Sequence, residues 1–130
     1  SPHSVQVASR TDVDGLILES TFCELSEVAK SMLFLSVPQR LLRLALCRFR
    51  LRTELAVAGL TCPLLIAHSK SDGIIPPDHA ARIYETAAEP KSLHWFRGGH
   101  NHEKSRQAKF RSAVAGLCDS AMTRHRKKVA

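Results

Sequence analysis

Two residues of this sequence are of the right types for acid–base chemistry: Asp72, in the run Ser69-Lys70-Ser71-Asp72-Gly73, and His100, behind Gly98-Gly99. A carboxylate bonded to one imidazole nitrogen fixes the tautomer and stabilises the imidazolium formed when the ring takes a proton. Such a pair activates a hydroxyl or thiol for attack on a carbonyl. Either residue alone reads as loop chemistry, since aspartate readily bonds its own backbone in turns. The pair also lacks an evident nucleophile. His100-x-His102 suggests a metal, but no third ligand stands at a recognised spacing, so no metal is expected.

The elements that must carry these two residues give the pair its weight. Gly15 to Ser20 is a short apolar run that reads as a strand buried on both faces, the signature of a parallel sheet. Cys62 to His68 and Ser92 to Phe96 read as the second and third strands, each followed by turn chemistry. Helices are expected at Pro2 to Arg10, in two or three pieces over Thr21 to Arg52, at Asp78 to Ala88 and from Glu103 to about Thr123. Strands alternating with helices predict an α/β fold of about three parallel strands with flanking helices. In such sheets ligands and chemistry sit at the carboxyl ends of strands. Asp72 and His100 follow successive strands, 28 positions apart in sequence. Neighbouring strands lie about 4.8 Å apart, which brings the two loops within reach of one another.

Composition restricts the remaining classes. With 44% hydrophobic and 24% charged residues in 130, the chain can bury a core. No run of 18 or more uncharged apolar residues is present, so no membrane span is expected. The net charge is +7, concentrated in Arg40, Arg43, Arg48, Arg50 and Arg52 and in a tail, Arg124-His125-Arg126-Lys127-Lys128. Basic clusters attract phosphates, but no zinc-finger spacing, phosphate loop or aromatic RNA-binding signature accompanies them, and no specific nucleic-acid partner is expected. Cys23, Cys47, Cys62 and Cys118 form no Cys-x-x-Cys unit and read as free thiols of a reducing compartment.

The ordered set Asp14-Gly15-Leu16-Ile17-Leu18-Glu19-Ser20-Thr21-Phe22, then Thr61-Cys62-Pro63-Leu64-Leu65-Ile66-Ala67-His68-x-x-x-Asp72-x-x-Ile75-Pro76, then Gly98-Gly99-His100-Asn101, resembles the α/β-hydrolases. The nearest likeness is to the serine esterase and acyl-protein thioesterase branch. It extends from about Ser4 to Phe110. The resemblance implies the C-terminal half of that fold, a partial hydrolase domain over 1–123 with a helical, cap-like segment at 21–58 and a basic tail at 124–130. It places Asp72 on the catalytic acid and His100 on the catalytic base. In this family the serine precedes both, on a Gly-x-Ser-x-Gly elbow between strand and helix. No such motif occurs in these residues, and the resemblance puts the serine just before Ser1.

Ser1 and Ser4 lack the flanking glycines an elbow needs, and Ser20 ends a strand where the family has an ordinary Glu-Ser-Thr-Phe or Glu-Asn-Thr-Phe. Two departures stand out: Ser69 where glycine usually follows the strand histidine, and His102 where aspartate usually follows Gly-His-Asn. The implied activity is hydrolysis of an acyl ester or thioester in the complete protein, with no cofactor and with these residues alone inactive. A cytoplasmic or membrane-peripheral location fits it, and peripheral contact with a membrane is compatible with Leu41, Leu42, Leu44 and Leu46 lining an acyl groove. The alternatives are a noncatalytic interaction module and a basic binder of nucleic acid or acidic surfaces.

Overall fold

The computed structural model describes residues 2–33, 38, 40, 41, 44, 53–100 and 107–129. Three short strands, β1 (Leu16–Glu19), β2 (Leu64–Ser69) and β3 (Lys91–Phe96), form a parallel sheet in the order β1-β2-β3. Leu18 stands opposite Ile66, and Ile66 opposite Leu93; at the carboxyl end Ser69 pairs with Phe96. Around the sheet run α1 (Pro2–Ala8), α2 (Leu25–Leu33), α3 (Thr53–Ala58), α4 (Asp78–Thr86) and α5 (Ala108–Val129). The α/β class expected from the strand and helix alternation is the one observed.

β2 is buried along its whole length, because side chains on both of its faces find cover. Leu64 and Ile66 join Val5, Leu18, Val57, Ala80 and Ile83 in one apolar cluster. Leu65 and Ala67, which alternate to the other face, are equally inaccessible. α4 packs on β2, β3 and α3, while α5 packs on β2 and β3 and buries Leu117. Truncating a fully buried leucine or isoleucine of this kind costs about 2–5 kcal/mol.

Two expectations need correction, and a third falls partly outside the described residues. β1 is buried on one face only: Leu18 is inaccessible, but Ile17 is 40% exposed and Glu19 is exposed as well. It is an edge of the described sheet, with β2 on one side, so its continuous apolar run does not report two covered faces. The stretch read as two or three helices to Arg52 is described only in part. It contains α2 and helical Arg40, Leu41 and Leu44; Leu42, Arg43, Leu46, Cys47, Arg48, Arg50 and Arg52 lie outside the described residues. Finally, the basic run is not a separate tail, since α5 continues through it to Val129. Arginine and lysine are good helix formers and are favoured in a last turn, where the helix dipole is negative. One turn apart, Arg124 and Lys128 both reach Asp12, and Arg124 also donates to the Val13 carbonyl at 3.0 Å.

Polar clasps hold the helices in register. The Arg82 guanidinium of α4 donates to Glu27 of α2 and Glu54 of α3, each at 2.8 Å. The backbone amide of Cys23 donates to His79 Nδ1 at 3.2 Å, and its thiol donates to the His79 carbonyl. Lys91, at the start of β3, turns its Nζ onto the Tyr84 and Ala87 carbonyls at 2.8 Å. That cation satisfies open carbonyls at the end of α4.

Candidate active site

Asp72 stands in the loop after β2. Asp72 follows Ser69 by three residues, and its amide bonds back to the Ser69 carbonyl. Its Oδ1 accepts the backbone N–H groups of Ile74 and Ile75, both at 2.9 Å, so the side chain folds over its own loop. This is the local bonding by which aspartate stabilises turns. It occupies one oxygen and leaves Oδ2 for the next strand's loop. The Asp72 side chain is fully buried.

His100 stands in the turn after β3. Gly98 has φ 121°, a conformation that side chains resist, and it bends the chain back toward β2. Two residues on, His100 places Nδ1 2.8 Å from Asp72 Oδ2. A carboxylate only accepts, so Nδ1 carries the hydrogen, and Nε2 of the neutral ring is left as an acceptor. The His100 side chain retains 24% of its exposure, in contrast to its partner. The two residues singled out in the sequence therefore meet at the carboxyl edge of the sheet.

A second imidazole approaches the same carboxylate. His68, fully buried in β2, has Nε2 3.0 Å from the Ile75 carbonyl and 3.7 Å from Asp72 Oδ2. Because a carbonyl accepts, Nε2 carries the hydrogen; Nδ1 has no hydrogen-bond partner among the described residues. Burial pulls the His68 imidazole below its ordinary value, over the opposing effects of the Ile75 carbonyl and the Asp72 carboxylate. For Asp72 itself, burial alone would push the carboxyl up. The Ile75 amide, the His100 imidazole and the Ile74 amide outweigh that effect and hold it below the usual carboxylate range.

Of the other sites weighed in the sequence, some lie partly outside the described residues. Among the described residues no three His, Cys, Asp or Glu side chains gather to hold a metal, and His102 lies outside them. Ser4 is exposed on α1. Ser20 has φ 45° at the end of β1, a conformation seen in strained turns, but its hydroxyl is buried without a partner among the described residues. The Cys23 thiol is pushed far up by burial, which suits a packing residue rather than a nucleophile. A cavity of about 630 Å³ is lined by Thr61, Pro63, Pro90 and the Arg124–Lys128 end of α5. It sits where β2 and β3 begin, at the opposite end of the sheet from Asp72 and His100.

The same architecture recurs in solved structures. An esterase domain from Rhodothermus marinus superposes with a TM-score of 0.59 at 20% identity, over 95% of this chain and 57% of that one. A meta-cleavage product hydrolase from Pseudomonas fluorescens gives 0.61 at 17% identity, over 92% and 61%. This is an α/β-hydrolase fold. A monoacylglycerol lipase from Paleococcus ferrophilus shares the α/β-hydrolase architecture at 13% identity and a TM-score of 0.59, over 93% of this chain and 64% of that one. In sequence, the chain is 33% identical over 91 residues to the lysophosphatidylserine lipase ABHD12 of Danio rerio, covering 64% of this chain. The match spans 24% of that lipase. No protein-family model matches the chain. Among the described residues no helix is long and apolar enough to cross a membrane.

Sequence reasoning singled out Asp72 and His100, which the structure brings together, but assigned nothing to His68, Ser69 or Ser71. The departure of Ser69 from the usual glycine was the available signal. Its Oγ donates to the Gly98 carbonyl, and the Ser71 hydroxyl donates to the same oxygen at 3.2 Å.

Proposed function

We propose that this chain supplies the acid and the base of a serine hydrolase acting on carboxylic esters or thioesters, as the C-terminal half of its catalytic domain. The observation that carries the reading is the 2.8 Å bond between a buried carboxylate and a partly open imidazole at adjacent strand ends. His100 Nε2 would take the proton of a serine supplied from outside these residues, N-terminal to α1, as the serine attacks the acyl carbonyl. Asp72 holds the ring in the required tautomer and stabilises the imidazolium. The ring then returns the proton to the leaving alkoxide or thiolate, and water, deprotonated by the same nitrogen, releases the acid. The lipase and esterase relatives support an ester substrate, and the zebrafish relative's name supports a lipid ester in particular.

The test compares the 130-residue chain with a version extended through the upstream serine elbow, using a p-nitrophenyl acyl ester and an acyl thioester. The extended protein should hydrolyse at least one, and the 130 residues alone should stay at background. Covalent labelling of the 130-residue chain by a fluorophosphonate would overturn the assignment of the nucleophile. Undiminished activity in an extended His100→Ala variant would overturn the whole reading.

A further inference from the structure

We propose that Ser69 and Ser71 are positioning residues, whose hydroxyls hold the Gly98 carbonyl and so fix the His100 turn against the Asp72 loop. The inference rests on Asp72 and His100 being the acid and the base. It adds the means by which this chain keeps them aligned.

Both serines lie on the acid's side of the pair, and both act on the base's side. Ser69 is the last residue of β2, fully buried, in register with Phe96. Its Oγ donates to the Gly98 carbonyl and accepts the Ser71 N–H at 3.1 Å. The exposed Ser71 adds a second hydroxyl to that carbonyl. Gly98 presents the oxygen because its φ of 121° turns the peptide back, and His100 lies only two residues further on. The Lys70 amide donates to the Phe96 carbonyl at 3.3 Å, so the serine bridge continues the β2–β3 ladder into the loops.

A glycine at position 69 would leave Gly98 without this buried donor. The acid–base bond would then have to hold the turn by itself. One hydroxyl–carbonyl bond is worth about 1 kcal/mol net, enough to change the opening of a short loop severalfold. Alignment of the base matters because small misplacements of catalytic groups cost large factors in rate.

The test uses nuclear magnetic resonance on the 15N-labelled 130-residue chain. Its readout is the low-field His100 Nδ1 proton and the rate at which that proton exchanges with water. Asp72→Asn marks the resonance, which should vanish in that variant. Ser69→Ala and Ser71→Ala should each accelerate exchange about fivefold. The double variant should do so further, with β2 and β3 amide shifts otherwise preserved. Ser71→Thr, which keeps a hydroxyl at an exposed position, should return the wild-type rate. Wild-type exchange in the double variant would overturn the serine assignment while leaving the pair intact. Absence of an Asp72-dependent resonance in the wild type would overturn the pair, and the serine role with it. If Ser69→Ala fails to fold, the comparison of Ser71→Ala with Ser71→Thr decides: equal exchange in the two overturns the proposal.

Discussion

His68 and His100 approach the same oxygen of Asp72, at 3.7 and 2.8 Å. Only His100 forms the short bond; the facing nitrogen of His68 is committed to the Ile75 carbonyl. One carboxylate thus stands between a buried imidazole, which burial disfavours in its charged form, and a partly open one.

This arrangement sets a pH dependence of stability with a definite sign. Both shifted groups, His68 and Asp72, lie below their ordinary values of 6.5 and 3.8 when folded. As pH falls, the unfolded chain therefore binds each proton before the folded one, and stability is lost. The His68 contribution is complete above 6.5 and declines from there to its folded value. The Asp72 contribution is complete above 3.8 and is lost as pH drops through its folded value. Urea unfolding from pH 8 to 3 should show two declines, and His68→Gln should remove the first. Constant stability between pH 7.5 and 5 would contradict the account.

On the proposed function, Asp72→Asn in a longer protein carrying the proposed serine should lower kcat by about four orders of magnitude, the scale seen when a triad acid is replaced by its amide. An asparagine oxygen can still accept from Ile74 and Ile75, so the loop should survive. The thermal midpoint at neutral pH should then move little compared with the rate. A kcat within tenfold of wild type would remove Asp72 from the mechanism.

Leu18 and Ile17, adjacent in β1, should separate packing from association. Leu18 is inaccessible and belongs to the central cluster, so Leu18→Ala should cost about 2–5 kcal/mol in urea unfolding. Ile17 is 40% exposed on an edge strand, and apolar surface at a sheet edge promotes association. Ile17→Lys should leave the unfolding midpoint nearly unchanged. It should also reduce the self-association of the 130-residue chain measured by sedimentation. Equal self-association in the two proteins would exclude this face.

The described thiols should differ in reactivity. Cys118 is exposed, whereas Cys23 and Cys62 are buried and burial pushes both thiols up. In a native alkylation followed by peptide mass mapping, Cys118 should be modified at least tenfold faster than Cys23 or Cys62, following exposure and thiolate fraction. Denaturant should level the three.

The meeting of Asp72 and His100 was legible because each follows an apolar strand and sits in its own turn chemistry. One sheet edge is then the natural meeting place for them. What the sequence concealed is instructive in the same terms. Leu16-Ile17-Leu18 reads as a strand covered twice, because apolar composition records what a face can bury and not what lies on it. The serine bridge was hidden because hydroxyls are ordinary in loops, and only the Gly98 geometry shows what they hold. The end of α5 was read as a tail because its residues are a run of charge, while Arg124 and Lys128 return to a loop more than 100 positions earlier.

That return has a consequence for synthesis. The tie between Arg124 and the Asp12–Val13 segment joins positions 112 and 111 residues apart. The approach to β1 is therefore synthesised more than 100 residues before the cations that bind it. A nascent chain stopped before Arg124 should leave that segment open to protease, and one extended past Lys128 should protect it.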